Sequence, residues 1–253
     1  MRKAIGRALG AEAALRLEAG LTGGREAKLA SLEFTSSGVR LSASGSADIE
    51  TMALDVRAEA QAPDLSAFSL LAGSELSGSA TVKVAAAGPA KTPKVELNVA
   101  ASRLAVDATR LDSAVLDLTT APSGKALTGK LAATAERQGG KLALSTAFGL
   151  EGNKLSLTGL RASGPGLDAS GAVDADIARP LASGALKASA DLAKLGAFLG
   201  RKMAGRTTLD LNLAASGPRQ DVSARVEASG LAVADASVGR AALECSLTDV
   251  LAA

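Results

Sequence analysis

The chain repeats itself. Leu76-Ser-Gly-Ser-Ala-Thr-Val-Lys-Val returns as Met203-Ala-Gly-Arg-Thr-Thr-Leu-Asp-Leu, and Val95-Glu-Leu-Asn-Val-Ala-Ala-Ser returns as Val222-Ser-Ala-Arg-Val-Glu-Ala-Ser, both at an offset of 127 positions. The same register relates Asp64-Leu65 to Asp191-Leu192, Leu104-Ala-Val to Leu231-Ala-Val, and Leu116-Asp to Leu243-Glu. A supersecondary unit that recurs in this way stacks on its own copy and builds an extended body. Function is then expected of a continuous surface rather than of one catalytic pocket.

Within each copy the dominant period is two. Leu54, Val56, Ala58 and Ala60 alternate with Asp55, Arg57, Glu59 and Gln61, which predicts a strand with one dry and one wet face. The same test places Leu54, Val56, Val82, Val84, Val95, Leu97 and Val99 on the dry parity of the first half. In the second half it places Leu131, Leu142, Leu144, Leu155, Leu157, Leu209, Leu211, Leu213, Val222, Val226 and Leu243 there. Side chains of the other parity, such as Lys83, Glu96, Asp210 and Arg225, are expected to face water. About fifteen such strands are closely spaced. Turns are expected at Gly88-Pro89, Ala121-Pro122-Ser123-Gly124, Gln138-Gly139-Gly140, Glu151-Gly152-Asn153, Gly164-Pro165-Gly166 and Gly217-Pro218. Short links between neighbours predict an antiparallel meander, divided by the duplication into a first repeat, 1–125, and a second, 126–253.

Two segments break the alternation. Asp64 is followed by Leu65, Phe68, Leu70 and Leu71, and Asp191 by Leu192, Leu195, Phe198 and Leu199. Apolar residues three to four apart behind a capping Asp predict a short helix in each copy, near 64–71 and 191–199. Ala4 to Leu9 reads as the remnant of a third. Helices this short must lean on the sheet.

Composition narrows the chemistry. With 253 residues the chain has no His, no Trp, no Tyr and a lone Cys, so Ser-His-Asp and Cys-His arrangements and His/Cys metal sites are excluded. No enzyme activity, cofactor or metal is expected. Gly200-Arg-Lys-Met-Ala-Gly205-Arg206-Thr207 nearly spells a phosphate-binding loop, but Arg206 stands where Lys is wanted and the segment leads from a helix into a strand. Asp174 and Asp176 share a strand face, which reads as a solvated strand end because oxygen-binding cations want six or more ligands. Cys245 falls between Leu243 and Leu247 and is expected to be buried and inert. The 28 basic and 26 acidic residues are interspersed and only four Phe are present, which argues against nucleic acid. No apolar run approaches the roughly 18 residues of a membrane span. Arg7 and Glu12 interrupt what would be the apolar stretch of a signal peptide behind Arg2 and Lys3.

What covers the dry face is left open by periodicity alone. A second sheet would make it the interior of a sandwich, and an uncovered face would make it a greasy groove.

The order of a capped helix, Leu-x-Gly, an alternating strand, a Gly-Pro turn, an alternating strand, Leu-x-Val and a further strand runs from Asp64 to Leu118 and again from Asp191 to Leu247. This order resembles the repeats of the TamB family, the inner-membrane component of the translocation and assembly module, within the AsmA-like, bridge-like lipid transfer group. The resemblance implies an all-β fold: an elongated, mainly antiparallel sheet folded into an open trough, or β-taco, with two or three short helices. It further implies a periplasmic segment whose groove, lined by the dry-parity residues named above, conducts phospholipid acyl chains between inner and outer membrane. A TamA-like outer-membrane barrel is the partner it suggests, through parts this chain does not carry. A membrane anchor and the family's C-terminal domain are not recognised here, so an internal fragment is expected. Two other functions stay open: a scaffold that templates outer-membrane protein or autotransporter assembly by strand addition, and a purely structural β-repeat.

Overall fold

The computed structural model describes residues 12–250 except 108, 234 and 235, so the helix expected at Ala4 to Leu9 lies outside the described residues. The architecture is all-β. Its strands are β1 Ala13–Thr22, β2 Glu26–Ser36, β3 Arg40–Asp48, β4 Ala53–Ala62, β5 Leu76–Pro89, β6 Lys94–Val106, β7 Thr109–Ser123 and β8 Ala126–Arg137. They continue with β9 Gly140–Glu151, β10 Lys154–Gly164, β11 Leu167–Asp176, β12 Leu181–Asp191, β13 Met203–Ser216, β14 Arg219–Val233 and β15 Ala236–Leu247. Strand order follows chain order from β1 to β15. The chain divides into two compact units, one reaching Pro122 and taking in Ala135–Arg137, the other formed by Ser123–Thr134 and the residues from Gln138 onward.

In the first unit every pairing from β1 to β7 is antiparallel. In the second the same holds from β9 to β15. Most links are minimal. Gln138 and Gly139, at φ +50° and +77°, form a two-residue hairpin whose positive dihedrals match the twist of the flanking strands. Two expected turns fall elsewhere. Gly88-Pro89 ends β5 and pairs with Leu54 and Ala53, the chain reversing at 90–93 instead. Pro89 sits where its missing N–H costs least, at a strand terminus. Likewise β7 runs through Pro122 to Ser123, and only Gly124 and Lys125 turn.

The helices sit where the repeat puts them. In the first copy a 3-10 turn, Leu65–Phe68, leads into α1, Ser69–Ala72; in the second α2 is a continuous helix, Leu192–Leu199. Asp64 caps the first by accepting from the Ser66 N–H at 2.8 Å, and Asp191 caps the second by accepting from Ala193 and Lys194 at 3.2 and 3.3 Å. Gly73 and Gly200 end them with φ +70° and +72°, the left-handed stop that glycine adopts without strain. Each helical segment packs on the strand that follows it, β5 or β13. Ser69 ties the first down, its hydroxyl accepting from the Leu76 N–H at 2.9 Å. At the equivalent place in α2 stands Gly196, where a Cβ would lie 2.6 Å from the Arg201 carbonyl oxygen, so the returning link leaves no room for a side chain. Among the described residues no helix is long and apolar enough to cross a membrane.

Candidate functional site

Register sorts the side chains. In the first unit Leu17, Leu32, Ala43, Ala58, Val84, Leu97 and Leu118 stand directly opposite one another across seven strands. Two residues along, Leu15, Phe34, Leu41, Ala60, Val82, Val99 and Leu116 form a second apolar row. Two residues the other way, Ala19, Leu29, Gly45, Val56, Ala86 and Val95 form a third, and Leu54 opposite Ala47 and Gly88 starts a fourth. Because pairs directly opposite in an antiparallel ladder share a face, Leu54, Val56, Val82, Val84, Val95, Leu97 and Val99 are brought together on one side.

The second unit builds its own stripe. Phe148, Leu157, Val173, Gly184, Leu213, Val222 and Leu247 form one row, and Leu144, Ala162, Ala169, Ala188, Leu209, Val226 and Leu243 another. Between them Leu160, Gly171, Leu186, Leu211, Ala224 and Cys245 stand opposite one another. Leu155 joins the same face opposite Leu150 and Ala175, and Leu142 shares the parity of Leu144 on β9. Leu131 lies on β8, at the division between the units.

These faces are not covered by a second layer. Among the described residues the buried apolar side chains are Leu181, Phe198 and Ala228, while Val84, Val56, Leu144 and Leu243 are 36, 38, 38 and 63 % exposed. A sandwich of this length would hide a dozen or more such residues. Cys245, expected to be buried, is only half-buried.

The opposite face is charged and internally paired. In the first unit Arg16, Glu33, Ser42, Glu59, Lys83, Asn98 and Asp117 form a row. The Lys83 ammonium lies 3.9 Å from Glu59, and the Asn98 amide donates to Asp117 at 2.6 Å. In the second Ser170, Lys187, Asp210, Arg225 and Glu244 repeat the pattern, with Lys187–Asp210 at 3.5 Å and Arg225–Glu244 at 3.0 Å. Lys94, at 2.6 Å, donates to Glu96 and holds its carboxyl below the ordinary range. A concavity of about 550 Å³ crosses β2 to β7. Its lining runs in triplets such as Glu96-Leu97-Asn98, so the central apolar row Leu32, Ala43, Ala58, Val84, Leu97 and Leu118 and the residues flanking it both contribute.

Two polar residues on apolar parity escaped the sequence. Thr146 on β9 is buried with its hydroxyl 3.2 Å from the Thr158 carbonyl. Gln220 on β14 is 4 % exposed; its amide oxygen accepts from the Ala182 N–H at 2.6 Å and its NH₂ donates to the Ala182 carbonyl at 2.9 Å. Pairing of β12 with β13 ends at Gly184, so this amide stands in for a strand on the freed backbone of Ala182. Asp174 and Asp176 gather no further ligands: among the described residues no group of three or more Asp, Glu, Cys or His could hold a metal. Asp176 instead accepts from the Ala178 and Arg179 amides at its strand end. Gly200 of the phosphate-loop-like segment is a helix C-cap leading into β13, as the sequence predicts.

The fold and the face define an open antiparallel β-sheet protein with an uncovered apolar side. Comparison with protein-family models, curated proteins and solved structures finds no match.

Proposed function

We propose that this chain is a non-enzymatic segment of a TamB-like envelope protein, working in the periplasm, whose apolar face carries phospholipid acyl chains between inner and outer membrane. One observation carries the proposal: apolar rows run uninterrupted across seven consecutive strands, and no second layer among the described residues covers them. An exposed apolar surface of that extent marks a binding surface, and acyl chains need a continuous apolar path more than specific contacts. The charged rows on the other side keep that face wet, so a single sheet gives lipid tails one side only. A chain without His, with its carboxylates solvated or ion-paired, supports carriage without chemistry. The test is purification of the protein in mild detergent followed by lipid extraction and mass spectrometry. Phospholipid is expected with the native chain and severely depleted in Val99→Asp and Leu211→Asp, because an unpaired charge in an apolar path costs several kcal/mol. Equal lipid in all three overturns the proposal.

A further inference from the structure

The two copies differ most in charge at one end. Lys194 stands in the first turn of α2, Arg201 and Lys202 in the link that follows it, Arg206 near the start of β13 and Arg240 on β15, and all five are exposed. At the equivalent positions 127 residues earlier the first copy has Ala67, Ser74, Glu75, Ser79 and Ser113. The five cations are gathered by the fold. Arg206 stands opposite Asp191 on β12 and Ser229 on β14, and Ser229 stands opposite Arg240 on β15. The Lys194 ammonium reaches the same Asp191 at 3.8 Å. The Arg201 N–H donates to the Gly196 carbonyl at 2.8 Å, which fixes the link that carries Arg201 and Lys202. Leu199, 40 % exposed, ends the helix just before Arg201 and Lys202.

We infer that this end of the second unit docks on an anionic lipid bilayer. In a chain of net charge +2 with its signs otherwise interspersed, five cations set against the carboxylates of Asp168 and Asp191 still leave a local excess, and its complement is a dense sheet of negative headgroups. An apolar tip flanked by basic residues is the arrangement that settles at a headgroup boundary. The inference does not depend on what the apolar face carries. Sedimentation with vesicles tests it. The native chain is expected to sediment with vesicles of 30 % phosphatidylglycerol in phosphatidylcholine, not with phosphatidylcholine alone, and less so as salt rises. At about fivefold per basic residue, a triple variant Arg201→Ala, Lys202→Ala, Arg206→Ala should bind roughly a hundredfold more weakly. An equal charge change elsewhere, Lys28→Ala, Lys91→Ala, Lys125→Ala, should bind like the native chain, as should Arg201→Lys with Arg206→Lys and the acyl-face variant Val99→Asp. Far-UV circular dichroism confirms that each variant is folded. Equal sedimentation of the two triple variants, binding to neutral vesicles as strong as to anionic ones, or displacement from vesicles by an equimolar oligonucleotide overturns it.

Discussion

Gly78 and Gly205 hold the same place in the two copies, each at a β-bulge, with φ +106° and +109°. A Cβ at Gly78 would lie 2.4 Å from the Arg103 carbonyl oxygen, and one at Gly205 would lie 2.7 Å from that of Gly230. Arg103 and Gly230, again 127 positions apart, both have positive φ. The duplication therefore extends to backbone conformation.

Gly78→Ala and Gly205→Ala should each cost about 1–3 kcal/mol, because both the dihedral and the approach to a carbonyl forbid a side chain. Gly20→Ala, where nothing lies within 4 Å of the new Cβ, should change stability by less than about 0.5 kcal/mol. Urea unfolding followed by circular dichroism measures this, the chain having no Trp or Tyr to report by fluorescence.

The caps give a pH signature. Asp64 has its carboxyl held below the ordinary 3.8 chiefly by the Ser66 N–H. Folding lowers this pKa, so its contribution is complete above 3.8 and is lost as pH falls through the lower folded value. The stability gap between the native chain and Asp64→Ala should thus be constant at neutral pH and close in acid. Asp191→Ala should cost about 1 kcal/mol at pH 7. A gap that widens in acid would contradict the cap.

Removing Gln220 should be expensive for its size. Gln220→Ala leaves the Ala182 N–H and carbonyl without their partner, at a cost of about 1–3 kcal/mol. The Ala182 amide should lose its hydrogen-exchange protection while Leu186, paired with Leu211, keeps its own. Unchanged protection at Ala182 would show that backbone closes the gap.

How much of this was legible follows from range. Alternation is local, so the faces carrying Val82, Val99, Leu209 and Leu211 could be read directly, as could the capping Asp64 and Asp191. The Gln220 contact joins residues 38 positions apart through a gap in pairing that no pattern announces. Pro89 misled because a proline at the end of a strand and one in a turn look alike without the register. Whether a second layer lay over the stripe could not be read from alternation at all. The exposure of Val56 and Leu144 decided that.

The central claim is that lipid tails travel on the apolar face and not on the charged one. Photo-crosslinking residues placed at Val99 and Leu211, and at their neighbours Asn98 and Asp210, within growing cells test it most directly. Phospholipid adducts are expected at Val99 and Leu211 and not at Asn98 or Asp210; equal labelling of both sets, or none at either, would contradict the account.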